Sequence, residues 1–215
     1  MNRQTGPQLK DIAGLAALVK KRGSGARRFL VALAGPPAAG KSTVAQALAD
    51  ALRAGGDTAT VIPMDGFHYD DAVLDRLGLR ARKGSPATFD AAGFKALLQR
   101  LKACEPDVAI PHFDRALELS RAAAELVSAD VKFLVIEGNY LLLEEAPWAS
   151  LRPLFDMTVY LNVPVEELDR RLVAGNDHLA RIIVIGRLAD LARGRLGRHR
   201  AHRLQVQAQD RRHRP

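Results

Sequence analysis

Two glycines, a lysine and a serine stand in this chain at the spacing of a loop that holds phosphate groups. Gly35 and Gly40 enclose four small residues, and Lys41 and Ser42 follow directly. Glycine permits the tight turn that points several backbone N–H groups at one anion. A lysine can reach the outer phosphates of a nucleoside triphosphate, and a serine hydroxyl can ligate the accompanying Mg²⁺. The pattern therefore predicts a triphosphate site lined by Gly35, Pro36, Pro37, Ala38, Ala39, Gly40, Lys41, Ser42 and Thr43.

The segments on either side of this loop have the pattern of a buried strand and a helix. Phe29–Ala34 is apolar throughout, and residues 43–52 combine helical spacing with strong helix formers. This order places the loop at a helix N-terminus, where the dipole and the free N–H groups favour an anion. The flanking elements distinguish the loop from a turn that matches the pattern by chance.

Strand-like and helix-like segments continue to alternate along the chain. Further strands are predicted at 58–64, 132–138, 156–162 and, as a last strand, 181–186. Helices are predicted around the apolar face of Leu9, Ile12, Leu15, Leu18 and Val19, over 90–101 with Asp90 as N-cap, and over 164–174. Residues 69–89 are expected to be irregular or short-helical, and 108–113 to be a short extended edge run because of Pro111. The alternation predicts an α/β fold with a mostly parallel sheet and helices on both faces.

Two acidic residues stand where predicted strands end. Asp65 follows the second strand, and Glu137 ends the apolar run from Phe133. Ligands of an open parallel sheet bind beyond the carboxyl ends of its strands. Asp65 could there accept a proton from a substrate hydroxyl or hold Mg²⁺, although aspartate before glycine is also common in simple turns. Glu137 resembles the acid of a Walker B strand, which lies near the metal.

Composition narrows the class of protein. The chain has 215 residues, of which 47% are hydrophobic, enough for one sizeable domain, and a single cysteine, Cys104, which excludes internal disulfides. No membrane span or signal peptide is recognisable, so the expected location is cytoplasmic. Residues 175–215 hold ten arginines and three aspartates and so carry +7 of the net +8 charge. The basicity belongs to a tail, and no nucleic-acid partner is expected for the domain.

Four further motifs follow the phosphate loop in order. They are Asp-Gly-Phe-His-Tyr at 65–69, Arg-Lys-Gly-Ser-Pro-Ala-Thr-Phe-Asp at 82–90, Ile-Pro-His-Phe-Asp-Arg at 110–115 and Glu-Gly-Asn-Tyr-Leu at 137–141. With these motifs, residues 9–174 resemble the phosphoribulokinase/uridine kinase/bacterial pantothenate kinase superfamily of P-loop kinases. The chain is most similar to the bacterial nucleoside/nucleotide kinase branch, also labelled fructose-transport-system kinase. We therefore expect a P-loop kinase domain over 1–186.

The resemblance implies roles for individual residues. Asp65 would act as general base, and Lys41 would stabilise the transferring phosphoryl group of ATP. Ser42, Asp65 and Glu137 would surround Mg²⁺. The acceptor pocket would be walled by Phe67, His68, Lys83, His112, Asp114 and Arg115. From the residues alone, His112 could instead be a half-buried strand histidine, Asp114 the N-cap of a helix starting at Arg115, and Arg115 a surface cation.

The chain departs from the family after the helix predicted at 164–174. In relatives this helix continues into an arginine-bearing lid, whereas here it runs directly into Gly175-Asn176-Asp177. The lid is thus expected to be shortened, which leaves Arg170 and Arg171 as candidate catalytic arginines. Residues 187–215, rich in Arg, His and Gln, are expected to form a disordered basic tail, or to derive from a shifted reading frame.

The predicted function is ATP-dependent phosphorylation of an alcohol of a small-molecule acceptor. The acceptor could be a sugar, a nucleoside or a pantothenate-like alcohol. Alternatives are a nucleotide-dependent ATPase or switch, a kinase impaired by its short lid, and a nucleic-acid-binding protein acting through the tail. A homodimer is a reasonable expectation for such a kinase.

Overall fold

A computed structural model describes residues 8, 9, 11–163 and 181–185 of the chain. Its main sheet has six strands in the order β1-β8-β7-β2-β6-β3. The strands of this sheet are β1 (Gln8–Leu9), β2 (Phe29–Ala34), β3 (Ala59–Pro63), β6 (Phe133–Gly138), β7 (Met157–Asn162) and β8 (Arg181–Ile185). Strands β7, β2, β6 and β3 are parallel, whereas β8 and β1 add antiparallel pairs at one edge. The predicted mostly parallel sheet and the last strand are confirmed.

The described residues include four α-helices, all of them in the first half of the chain. They are α1 (Ile12–Arg22), α2 (Lys41–Ala54), α3 (Asp71–Leu77) and α4 (Ala91–Lys102). Short 3₁₀ helices span Met64–Phe67, Arg80–Arg82, Pro86–Thr88 and Trp148–Leu154. Asp90 caps α4 by accepting a hydrogen bond from the Gly93 N–H at 2.8 Å, as the sequence predicts.

Alternation along β2 separates two hydrophobic cores. Leu30, Ala32 and Ala34 face a core shared with α4 and the 3₁₀ helix at Trp148–Leu154. The intervening residues, among them Val31, face a core shared with α1 and α2. Because every residue of β2 and β6 is buried, these strands read as continuous apolar runs. Helices on both faces of the sheet are therefore confirmed.

A two-stranded hairpin stands apart from the sheet. It pairs β4 (Val108–Asp114) with β5 (Leu119–Val127) in antiparallel fashion, with a register shift between Ile110 and His112. The sequence predicts β4 as an extended run but does not predict β5, whose residues are mostly exposed. A helix starting at Arg115 is wrong, because residues 115–118 form the turn of this hairpin.

Several predicted elements differ from the structure at their boundaries. Leu9 lies in β1 and not on the face of α1, which begins at Ile12. Strand β3 ends at Pro63, so Asp65 lies in the following 3₁₀ turn. The helix predicted at 164–174 and the tail at 187–215 lie outside the described residues. Within the described part, no helix combines the length and hydrophobicity needed to cross a membrane.

Two tyrosines on the α4 side of the sheet differ in the hydrogen bonding of their hydroxyl groups. The Tyr140 hydroxyl donates to the carbonyl of Gly84. Tyr160 is 6% exposed, its hydroxyl has no hydrogen-bond partner among the described residues, and burial raises its pKa to about 12. An unpaired buried hydroxyl costs about 1–3 kcal/mol, whereas a satisfied one contributes about 1 kcal/mol.

We therefore expect Tyr160→Phe to raise the free energy of unfolding by roughly 1 kcal/mol, and the matched Tyr140→Phe to lower it by a similar amount. Urea denaturation of the ligand-free protein measures both. Equal destabilisation by the two substitutions would show that the Tyr160 hydroxyl is satisfied in solution.

Candidate functional site

The phosphate loop connects β2 to α2 at the carboxyl edge of the sheet. Gly40 has a left-handed backbone (φ 77°), and Ala38 adopts the same region (φ 61°), which is unusual for a residue with a side chain. Gly35 packs against β7 so closely that a Cβ would meet the Leu161 Cβ at 3.1 Å. Lys41 begins α2, and its ammonium donates to the Pro36 carbonyl at 2.9 Å. The loop therefore curls around its own lysine at a helix N-terminus.

A buried carboxylate faces this loop from the end of β6. Glu137 is 7% exposed, and its Oε1 accepts a hydrogen bond from the Ser42 hydroxyl at 3.1 Å. Burial raises the pKa of the Glu137 carboxyl above its ordinary value; Lys41 opposes this rise and Asp65 adds to it. A negative charge in this position is stabilised by a cation, and hydroxyl and carboxylate oxygens are the donors that Mg²⁺ prefers.

The described residues offer no group of three or more His, Cys, Asp or Glu side chains that could hold a metal alone. A Mg²⁺ ion at Ser42 and Glu137 would thus take its remaining ligands from phosphate oxygens and water, as is usual for this metal in kinase sites. The residues present fit such a site.

Asp65 comes close to Glu137 because it follows β3, which is paired with the strand that carries Glu137. Pro63 of β3 is opposite Glu137 of β6, and the 3₁₀ turn Met64–Phe67 follows immediately. The Asp65 carboxylate Oδ2 pairs with Arg115 Nη2 at 2.8 Å. The predicted base and the loop of the hairpin are thereby brought together.

His68 forms an aromatic wall next to Asp65. Its ring contacts those of Phe89 and Phe113, with centroid distances of 3.9 and 4.8 Å. Its Nδ1 is 2.9 Å from the Asp65 carbonyl oxygen. Burial lowers the pKa of His68, while the hydrogen bond to the Asp65 carbonyl and the charge of the Asp65 carboxylate oppose this shift. Because a carbonyl only accepts, Nδ1 of the neutral ring carries the proton and Nε2 is an acceptor.

Lys83 is held by groups of the protein around the pocket. Its ammonium is 2.8 Å from Asp71 Oδ1, 3.0 Å from the Glu118 carbonyl oxygen and 5.5 Å from the centre of the Phe113 ring. Lys83 in turn lowers the pKa of Asp71 through their hydrogen bond. In this structure Lys83 ties α3 to the turn of the hairpin.

The remaining predicted acceptor residues also have protein partners. The Phe67 ring packs on Phe94 at 4.8 Å, against the core. His112 Nε2 is 3.1 Å from Glu125 of β5. Asp114 caps the hairpin turn by accepting hydrogen bonds from two backbone N–H groups, those of Ala116 and Leu117. The roles of all three in acceptor binding stay predictions, while Arg170 and Arg171 lie outside the described residues.

Sequence reasoning missed several residues of this region. Phe89 and Phe113 contact the His68 ring in tilted geometry, and Tyr140 anchors the loop at Gly84. Glu125 joins His112 to Thr60, whose hydroxyl donates to it at 3.1 Å. Phe89 and Phe113 lie inside quoted motifs, so their aromatic character was a usable signal. No sequence signal indicated Glu125, because β5 is not predicted.

Comparison with known proteins identifies this arrangement. The model of the phosphoribulokinase/uridine kinase family matches residues 30–174. The chain belongs to this family.

Individual members of the phosphoribulokinase/uridine kinase family agree with the match. A Schizosaccharomyces pombe protein provisionally named as a uridine kinase is 38% identical over 160 residues, 71% of this chain and 67% of that protein. The pantothenate kinase of Clavibacter sepedonicus is 33% identical over 144 residues, 65% of this chain and 45% of its own length. The chain thus spans about two thirds of the length of the first relative and less than half of the length of the second.

A solved structure extends the agreement to three dimensions. A Silicibacter sp. TM1040 protein, provisionally described as a fructose transport system kinase, is 41% identical, with a TM-score of 0.71. The similarity covers 79% of this chain and 85% of that one. The fold is that of the P-loop kinases, and the chain is a member of a kinase family.

The turn that carries Asp65 requires a glycine next to it. A Cβ on Gly66 would lie 2.8 Å from the carbonyl carbon of Pro111 in β4, closer than real contacts allow. We expect Gly66→Ala to separate the hairpin from the turn and to lower the free energy of unfolding by about 1–3 kcal/mol. Thermal and urea unfolding measure this loss.

Gly25→Ala is the matched control, because a Cβ there would meet nothing within 4 Å. An effect of Gly66→Ala no larger than that of Gly25→Ala would contradict the close packing of turn and hairpin.

Proposed function

We propose that the chain transfers the γ-phosphoryl group of ATP to an alcohol of a small molecule. The observation that carries the proposal is the position of Asp65. It lies beside Glu137, which is hydrogen-bonded to the phosphate loop through Ser42, and it also borders the aromatic wall formed around His68. A carboxylate between a triphosphate site and a second pocket is the arrangement that phosphoryl transfer to a hydroxyl requires.

The donor half of the site binds and orients ATP. Backbone N–H groups of the loop and the N-terminus of α2 would hold the phosphates, and Lys41 would leave the Pro36 carbonyl for their outer oxygens. Ser42 and Glu137 would hold Mg²⁺, which neutralises charge on the β- and γ-phosphates. Lys41 and the loop amides then stabilise charge on the transferring group.

The acceptor half places a hydroxyl group at Asp65. In the reaction, the hydroxyl oxygen forms a bond to the γ-phosphorus while the bond between this phosphorus and the β–γ bridging oxygen breaks. The electron pair of the broken bond stays on ADP, and the proton of the hydroxyl passes to the Asp65 carboxylate. Because the transition state is loose, the protein acts mainly by positioning and charge stabilisation.

The wall beside Asp65 favours an acceptor with more than one hydroxyl or N–H group. His68 Nε2 has no hydrogen-bond partner among the described residues and, in the neutral ring, accepts a hydrogen bond. The rings of Phe89 and Phe113 add apolar surface on either side of His68. A sugar, a nucleoside and a pantothenate-like alcohol all satisfy this chemistry, and the similar proteins are named for all three.

Substitution of Asp65 tests the reaction type. We expect Asp65→Asn to bind ATP within about twofold of wild type and to lose phosphoryl transfer by about 10²–10⁴-fold, because the amide cannot accept the proton. Isothermal titration with a non-hydrolysable ATP analogue and a coupled ADP-release assay measure the two quantities. Fructose, uridine and pantothenate represent the three acceptor classes.

Asp75→Asn is the matched control, since Asp75 is an exposed carboxylate on α3 that faces Arg80 at 3.5 Å. Retention of most activity by Asp65→Asn would remove Asp65 from the base role. ADP release that does not depend on any acceptor would favour an ATPase instead.

A further inference from the structure

The turn between β4 and β5 brings a cation to the predicted base. Arg115 Nη2 lies 2.8 Å from Asp65 Oδ2, while the guanidinium carbon is 5.9 Å from the centre of the Phe113 ring. The Arg115 side chain is 75% exposed, whereas Asp65 is 26% exposed. Arg115 is therefore attached to the site at its charged end, and little of it packs against the protein.

Arg115 also acts on the carboxylate of the other half of the site. In the described part of the chain, the cations that lower the pKa of the buried Glu137 are Lys41 and Arg115. Lys41 belongs to the phosphate loop, and Lys83 is held by Asp71 and Glu118. Among the described residues, Arg115 thus brings positive charge to both Asp65 and Glu137 from the acceptor side.

In the proposed reaction, the transferring phosphoryl group lies close to this guanidinium. An acceptor hydroxyl hydrogen-bonded to Asp65 places its oxygen about 3 Å from the carboxylate, and the phosphorus under attack lies about 3–3.5 Å further on. A guanidinium that touches Asp65 needs only a side-chain rotation to reach the equatorial oxygens of that phosphoryl group. Its planar fork matches two such oxygens at once.

We propose that Arg115 is a catalytic residue that leaves Asp65 when the acceptor binds and then contacts the transferring phosphoryl group. This inference rests on the proposed function. The acceptor hydroxyl and the Arg115 guanidinium compete for the same carboxylate, so the arrival of one displaces the other. Arg115 would thereby supply, from the hairpin, the positive charge that the resemblance assigns to arginines of the lid, for which the shortened lid leaves Arg170 and Arg171 as candidates.

The test replaces Arg115 by Met and by Lys. Arg121→Met is the matched control, because Arg121 is an exposed arginine of the same hairpin that pairs with Asp114 at 3.4 Å. Since the Arg115 side chain is largely exposed, all three variants should unfold at the wild-type temperature. Two readouts are needed: steady-state kinetics with fructose, uridine and pantothenate, and, in the presence of the acceptor that is turned over, binding of Mg·ADP with and without aluminium fluoride, which mimics the transferring group.

We expect Arg115→Met to lower kcat by about 10³-fold or more, the range of related charge-stabilising arginines, with the KM for ATP within about twofold. Its affinity for Mg·ADP should stay unchanged, while the additional affinity given by aluminium fluoride is lost. Arg115→Lys should fall between Arg115→Met and wild type, and Arg121→Met should resemble wild type in both readouts.

Two results would overturn the role of Arg115. One is a raised KM for the acceptor at unchanged kcat, which would make Arg115 an acceptor-binding residue only. The other is wild-type affinity of Arg115→Met for Mg·ADP with aluminium fluoride. If the wild-type chain phosphorylates none of the acceptors, the proposed function is wrong, and the role of Arg115, which rests on it, is overturned with it.

Discussion

The parallel register of β2, β6 and β3 determines where the site residues leave the sheet. Ala34 is opposite Gly138, and Pro63 is opposite Glu137, so all three strands end at the same level. The residues that follow are the phosphate loop, the segment after Glu137 and the turn with Asp65. A slip of one residue would turn each buried face of these strands toward the wrong core, so packing holds the register in place. The packing of the two cores thus sets the relative positions of the predicted catalytic groups.

The hairpin of β4 and β5 completes the site from outside the sheet. It approaches the turn of Asp65 at Gly66 and contributes Phe113 to the wall around His68. Ion pairs of Lys83 with Asp71 and Glu118 fasten its turn to α3. These contacts hold the acceptor side through charged and partly exposed groups, whereas the donor side rests on a buried core. We therefore expect the predicted acceptor side to be the part of the site in which side chains can change partners.

The sequence predicts the donor side better than the acceptor side, for a physical reason. The loop from Gly35 to Ser42 and the acids Asp65 and Glu137 are local signals, because each stands at the end of an apolar run that the sequence alone marks as a strand. The ion pairs of Lys83 with Asp71 and Glu118 form only because the fold brings these residues together, and no local sequence pattern predicts them. Strand β5 escapes prediction because its exposed alanines lack the alternation of a half-buried strand. The pairing of β1 with β8 joins residues from opposite ends of the chain.

The central claim is that the phosphoryl group of ATP passes to an acceptor held at Asp65 and not to water. The most direct measurement follows the γ-phosphorus of labelled ATP in the presence of fructose, uridine or pantothenate. We predict that the label appears in an acid-stable phosphate ester of one acceptor, in equal amount to the ADP formed. Recovery of the label only as inorganic phosphate, at a rate independent of every acceptor, would contradict this account.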